Sequence, residues 1–154
     1  MNETISTRTK ELIAAHAAFE GPLLPILHAV QAEFGHVPQD ALPVIAEGLN
    51  LSRAEVHGVA SFYHDFRETP AGRHVVKVCR AEACQSMHGE ARAGELLSIL
   101  GIDWHETSVD GRVTVEPVYC LGLCACAPAA MVDGRVVGRI DADTVREIAA
   151  EVSK

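Results

Sequence analysis

The sequence predicts an α+β fold in which a helical N-terminal part is followed by a part that mixes strands and helices. Before residue 66 the apolar residues recur with the spacing of helices, whereas after residue 72 they alternate with a period of about two. The segment between these patterns, Glu-Thr-Pro-Ala-Gly at residues 68–72, has the composition of a connection. We therefore predict a helical domain over residues 1–70 and a second domain over residues 71–154.

The helical domain has local signals for the ends of several helices. Gly35 follows an apolar stretch and is the expected C-terminal cap of that helix. Ser52 and Glu55 have the spacing of a capping box, which predicts a helix starting there. The predicted helices lie over residues 7–19, where the pattern is weakest, over residues 23–34, and after residues 40 and 52.

The second domain has the predicted order strand, helix, three strands, helix. The strands are predicted over residues 74–78, 113–118, 130–132 and 135–140, and the helices over residues 88–100 and 143–152. Asp110-Gly111 is a turn signal before the second strand, and Asp133-Gly134 predicts a hairpin between the last two. This order suits a small sheet with helices packed on it.

The composition excludes some functions and favours one cell compartment. The chain has 154 residues and a net charge of −8, which argues against binding to nucleic acid through phosphate contacts. No apolar run approaches the roughly 18 residues of a membrane span, and the polar start MNETISTRTK has no secretory apolar region. We therefore expect a soluble, cytoplasmic protein that does not insert into a membrane.

Four of the five cysteines form two close pairs, Cys79 with Cys84 and Cys120 with Cys124. Disulfides are rare in the cytoplasm, and an odd number of cysteines cannot be fully paired within one chain. Each pair follows a predicted strand, so the two loops can meet at one edge of a sheet. Four thiolates satisfy the ligand count of an all-cysteine 2Fe-2S cluster. The pattern therefore favours metal ligation.

The residues around the second pair suit such a cluster. Gly122 can adopt a positive φ and let backbone N–H groups turn toward the cysteine sulfurs. Leu121, Leu123 and Pro128 can shield the site from water. The fifth cysteine, Cys126, is expected to be a packed neighbour of the ligands.

Two other uses of the cysteines remain open at this point. A set of four cysteines also makes a structural zinc site, and the spacing of the pairs is compatible with a zinc-stabilised interaction module. A thiol-disulfide oxidoreductase is disfavoured because the chain has no Cys-x-x-Cys.

Several separated segments of the chain match one family. They are LPILHAVQAEFGHVP at residues 24–38, EVHGVASFY at 55–63, the two cysteine pairs, and CLGLC at 120–124 running into Ala127-Pro128. In these segments the chain resembles the NuoE family of thioredoxin-like 2Fe-2S subunits, found beside the flavin subunit of complex I. The resemblance implies an N-terminal helical bundle followed by a thioredoxin-like 2Fe-2S ferredoxin domain. It also implies one cluster, with Cys79, Cys84, Cys120 and Cys124 as its ligands.

Within that family, two segments are most similar to the gamma subunit (FdsG) of cytoplasmic NAD-dependent, molybdenum-containing formate dehydrogenases. They are VCRAEACQSM at residues 78–87 and CACAPAAM at residues 124–131. The resemblance implies a non-catalytic subunit that exchanges single electrons with the FMN of a neighbouring NAD-binding, NuoF-like (FdsB-like) subunit. The helical domain would dock on that subunit. FMN, NAD, a 4Fe-4S cluster and the molybdenum cofactor are expected only on partner subunits. The equivalent subunit of NADH:quinone oxidoreductase (complex I) or of an NAD-linked hydrogenase is the alternative, because its cysteine spacing is the same.

Overall fold

The computed structural model describes residues 3–154 and confirms the α+β class. The chain divides into two compact units, Met1–Pro70 and Ala71–Lys154, and the division falls within the segment where the apolar pattern changes. Each unit has its own apolar core, so the two are described separately. No helix within residues 3–154 is both long enough and apolar enough to cross a bilayer.

Over residues 3–70, the first unit consists of four helices. They are α1 (Glu3–His16), α2 (Leu23–Phe34), α3 (Ala41–Leu49) and α4 (Arg53–Phe62). Two predicted helix ends are confirmed: Gly35 caps α2 with φ +75°, and Ser52 and Glu55 form the capping box that begins α4. The weakest prediction, residues 7–19, has the wrong bounds because α1 begins four residues earlier and ends three residues earlier.

The core of the first unit holds apolar side chains from all four helices. Its fully buried large residues are Ile26, Leu27, Val30, Ile45 and Val56. Gln31 fixes the segment after α4: its side-chain amide donates to the carbonyl of Asp65 at 2.7 Å and accepts from the backbone N–H of Arg67 at 2.7 Å. Because both bonds join residues more than thirty positions apart, they help to close the bundle.

The second unit is a four-stranded sheet with helices. In chain order its elements are β1 (His74–Cys79), α5 (Glu82–Ser86), α6 (Gly89–Leu100), β2 (Val113–Val118), a 3-10 turn (Cys124–Cys126), β3 (Ala130–Val132), β4 (Arg135–Val137) and α7 (Ala142–Val152). The strand order is β2-β1-β3-β4. β1 and β2 are parallel, while β3 is antiparallel to both β1 and β4.

Alternate residues of the strands form the core of this unit. Val76 and Val78 of β1 are buried with Val113 and Val115 of β2, and they pack with apolar residues of α6 and α7. Since side chains two positions apart on a strand share a face, one face of the sheet is the core face. The predicted hairpin is confirmed, with Asp133 and Gly134 at positive φ values of +49° and +85°.

Two predictions for this unit are wrong. The last strand ends at Val137 and not at residue 140, because the backbone N–H of Arg139 donates to the carbonyl of Cys126 at 2.6 Å, and that of Ile140 to Pro128 at 3.1 Å. The chain there is held by the second cysteine loop. The segment expected to be a loop around Cys84 is the short helix α5.

Candidate metal centre

The parallel pairing of β1 and β2 brings the two cysteine pairs to one edge of the sheet. Cys79 is the last residue of β1 and lies opposite Val118, the last residue of β2. Cys120 follows two residues later. Because parallel strands point the same way, the loops after them leave from the same edge, as predicted from the sequence.

The first pair is buried. Cys84 lies on α5 and is 2% exposed, and Cys79 is similarly enclosed. Ala129, just before β3, contacts both cysteines: its carbonyl accepts from the backbone N–H of Cys79 at 3.0 Å, and its N–H donates to the Cys84 sulfur. One residue thus ties the third strand to both members of the pair.

Burial raises the pKa of the Cys84 thiol above its ordinary value, and the neighbouring Cys79 thiol raises it further. The N–H of Ala129 acts in the opposite direction, because a hydrogen bond to the sulfur favours the thiolate. Without metal this thiol is therefore protonated at neutral pH. A metal that bound the Cys84 sulfur would have to displace this proton, so its binding would become less favourable as the pH falls.

The second pair is exposed to solvent. The sulfurs of Cys120 and Cys124 are 3.9 Å apart, and the N–H of Gly122 donates to the Cys120 sulfur at 3.3 Å. The predicted backbone conformation of Gly122 is confirmed, since its φ is +75°. The hydrogen bond with Cys120 raises the pKa of the Cys124 thiol.

Cys120 itself has a φ of +130°, a conformation that side-chain-bearing residues rarely adopt. Such backbone strain costs on the order of 1–3 kcal/mol and is found mainly at functional sites. The strained turn at Cys120 is adjacent to the Gly122 turn, and together they place the second pair of sulfurs.

The two pairs face each other. Cys124 interacts electrostatically with both Cys79 and Cys84 across the loops. Within residues 3–154, however, no three His, Cys, Asp or Glu side chains are grouped around a point where one metal ion could reach them all. Two close pairs of thiols satisfy the ligand count of an all-cysteine 2Fe-2S cluster and also that of a structural zinc site.

An apolar shell covers the first pair of cysteines. It consists of Ala81, Val118, Leu121, Leu123 and Ala127, packed against Cys79, Cys84 and Ala129. Leu121 and Leu123 were expected from the sequence, and Pro128 is also buried. Ala81, Ala127 and Ala129 were not expected there, because a single alanine in a loop produces no pattern that marks it as part of the shell.

Cys126 ends the 3-10 turn that begins at Cys124, and its backbone N–H donates to the carbonyl of Leu123 at 2.8 Å. Its side chain is half-buried. The exclusion of Cys126 from the ligand set remains a prediction.

Sequence comparison identifies one family over nearly the whole chain. The profile of the thioredoxin-like 2Fe-2S ferredoxins matches residues 9–153. The NuoE-type subunit of the NADH-quinone oxidoreductase of Pseudomonas aeruginosa is 40% identical over 122 residues, which are 79% of this chain and 74% of that protein. Its counterpart in the NADH-quinone oxidoreductase of Mycobacterium tuberculosis is 36% identical over 139 residues, 90% of this chain and 55% of that protein.

Two hydrogenases also contain a similar region. The HndA subunit of the NADP-reducing hydrogenase of Solidesulfovibrio fructosivorans is 33% identical over 132 residues, covering 86% of this chain and 77% of HndA. The crystal structure of an air-oxidized NAD+-reducing NiFe-hydrogenase superposes with a TM-score of 0.72 and 27% identity. That match covers 85% of this chain but only 22% of the hydrogenase chain, so the similar region there is one part of a longer polypeptide.

Proposed function

The chain belongs to the thioredoxin-like 2Fe-2S ferredoxin family and holds a single 2Fe-2S cluster. From this premise we propose that Cys79, Cys84, Cys120 and Cys124 are the ligands of that cluster, and that the chain is an electron-transfer subunit of an NAD-linked oxidoreductase. The observation that best supports the ligand assignment is the placement of two close thiol pairs at one edge of a parallel strand pair.

When bound, the cluster supplies one-electron transfer, and the protein sets the conditions for it. The N–H groups of Gly122 and Ala129 donate to cysteine sulfurs and so stabilise negative charge there. Leu121 and Leu123 pack against the buried residues of the site and limit the access of water. These residues therefore favour the acceptance of an electron at a site that is apolar on the side of Cys79 and Cys84.

The two ligand pairs differ in exposure, which favours one route for electrons. Cys79 and Cys84 are buried, whereas Cys120 and Cys124 lie at the surface. Electron transfer falls off steeply with distance, so the partner would approach the exposed pair. The chain has no substrate pocket in this proposal and acts only by passing electrons.

The names of the relatives favour two kinds of parent complex. The similar proteins are subunits of NADH-quinone oxidoreductases or hydrogenases, which supports the equivalent role here over the more specific assignment to a formate dehydrogenase. The formate dehydrogenase assignment still rests on the resemblance to FdsG in residues 78–87 and 124–131 alone. For either parent complex, we propose that the partner is a NuoF-like subunit that binds FMN and NAD. We also propose that the complex lies in the cytoplasm.

The proposed function predicts a defined spectroscopic result. Anaerobically purified protein should contain two irons and two sulfides per chain, be EPR-silent as isolated and give a rhombic signal after dithionite. The measurement is low-temperature EPR on samples assayed for iron, sulfide and zinc. A colourless protein with one zinc per chain would instead support the zinc-stabilised interaction module.

The helical unit is proposed to dock on the flavin subunit, and its surface suggests where. Phe62 at the end of α4 is 73% exposed, and its ring packs edge-on to that of Tyr63 at 5.2 Å. Exposed aromatic residues are common at the energetic centres of protein interfaces. The residues of α4 other than Val56 are at least partly exposed, so the helix is available to a partner.

We therefore expect Phe62→Asp to weaken binding of the NuoF-like subunit of the same organism by roughly tenfold or more, since it removes an aromatic anchor and adds a charge. Val136→Asp, at an exposed valine of the second unit, is the matched control and should have little effect. Calorimetric titration of the purified subunits measures both. Equal affinities for wild type and Phe62→Asp would exclude α4 from the interface.

A further inference from the structure

Two glycines from later segments of the chain contact the two cysteine loops, one loop each. At Gly89, the first residue of α6, an added Cβ atom would lie 2.5 Å from the carbonyl oxygen of Cys84 and 2.9 Å from its carbonyl carbon. At Gly138, just after β4, it would lie 2.8 Å from the Cβ of Cys126 and 2.9 Å from the carbonyl oxygen of Cys126.

These contacts are with backbone or with the first side-chain atom, so a flexible side chain cannot relieve them. A Cβ at Gly89 would displace the Cys84 backbone, whose carbonyl also accepts from the N–H of Met87 at 3.2 Å. A Cβ at Gly138 would displace the 3-10 turn that begins at Cys124. Neither glycine has the positive φ that would by itself require glycine, so the constraint is space.

We propose that Gly89 and Gly138 are positioning residues for the 2Fe-2S cluster, one for each cysteine pair. Their missing side chains let α6 and the chain after β4 approach the ligand loops closely enough to hold each cysteine pair in place. This proposal rests on the proposed ligand assignment. It adds that the close contacts of Gly89 with Cys84 and of Gly138 with Cys126 would help to set the positions of the cysteine ligands.

The chain offers two matched controls. Gly94 lies on the same helix as Gly89 and has no atom within 4 Å of an added Cβ, so Gly94→Ala tests the substitution without the clash. An added Cβ at Gly72 would lie 2.8 Å from the backbone nitrogen of Val113, a clash of similar severity. Val113 is the first residue of β2, whereas Cys120 and Cys124 follow the last residue of that strand. Gly72→Ala therefore tests destabilisation without displacement of a cysteine loop.

The experiment compares the anaerobically purified wild type with Gly89→Ala, Gly138→Ala, Gly72→Ala and Gly94→Ala. Its readouts are the EPR g values after dithionite, the midpoint potential, the rate of iron release to a chelator, and the melting temperature. We expect Gly89→Ala and Gly138→Ala to shift the g values and the potential and to release iron roughly tenfold faster or more. Gly72→Ala should lower the melting temperature with wild-type g values, and Gly94→Ala should match the wild type.

Several outcomes would overturn the proposal. Wild-type g values and potential in both Gly89→Ala and Gly138→Ala would do so while leaving the proposed function intact. The same spectral shift in Gly72→Ala would show a general effect of instability. If neither variant yields folded protein while Gly72→Ala does, the two glycines serve folding and not cluster geometry. A wild type without iron would instead remove the proposed function, and this proposal with it.

Discussion

Replacement of Cys84 by alanine is expected to abolish the 2Fe-2S cluster. The thiol is 2% exposed, and its sulfur accepts a hydrogen bond from the N–H of Ala129. Removing it would take away one of the four proposed thiolate ligands, in an apolar enclosure where water cannot easily replace the missing ligand. We expect loss of the visible absorption and of the EPR signal, with less than about a tenth of the wild-type iron retained.

The control for this experiment is Cys126→Ala, in the same turn as Cys124. It removes a thiol but keeps the Cβ that packs at Gly138, so iron content and the EPR spectrum should remain those of the wild type. Iron analysis and EPR of both variants, prepared side by side, decide the ligand set. Loss of the cluster in Cys126→Ala with retention in Cys84→Ala would mean that Cys126 replaces Cys84 as a ligand.

The second large effect is on stability. Val76 lies in the middle of β1, which pairs with β2 on one side and β3 on the other, and its side chain is 0% exposed. Val76→Ala removes two buried methyl groups and leaves a cavity in the sheet core. We expect it to lower the free energy of unfolding of this unit by about 2–3 kcal/mol.

Val136→Ala is the matched control, because Val136 is also a strand valine but is 51% exposed on β4. Its effect should be below about 1 kcal/mol. Urea unfolding followed by circular dichroism measures both variants, with the cluster content of each sample determined, since a bound cluster stabilises the folded state. Equal midpoints for the two variants would contradict the assignment of Val76 to the core.

Stability and cluster binding are linked through the same strand. β1 contains Val76 in the core and ends at Cys79, and Ala129 next to β3 bonds to both cysteines of the first pair. A change that loosens the β1–β3 pairing therefore also loosens the sulfurs. Val76→Ala should lower the free energy of unfolding but broaden the EPR spectrum only slightly, because the substituted side chain lies three residues from Cys79.

Local sequence signals predicted the elements correctly wherever the signal and its structural effect lie close together in the chain. The Gly35 cap, the capping box of Ser52 and the Asp133-Gly134 turn are all confirmed. Each depends on hydrogen bonds or φ values within about four residues, and these are fixed by residue type. The weak first helix was misplaced because its pattern lacks a clear cap at either end.

Errors arose where a distant segment decided the local structure. The last strand was predicted to continue to residue 140, but Arg139 and Ile140 bond to Cys126 and Pro128 in place of a strand partner. The roles of Ala129 and of the two close-packed glycines were likewise missed. Their importance depends on which backbone lies next to them, and the residue type alone does not reveal this.

The sequence by itself determined the α+β class and the presence of two close cysteine pairs, because these follow from periodicity and spacing along the chain. The cysteine spacing left a single zinc and a 2Fe-2S cluster both open. Only the tertiary structure arranged the thiols as two pairs at one edge of the sheet, one buried and one exposed. That arrangement depends on the parallel pairing of β1 with β2, which joins residues about forty positions apart and has no local sequence signal.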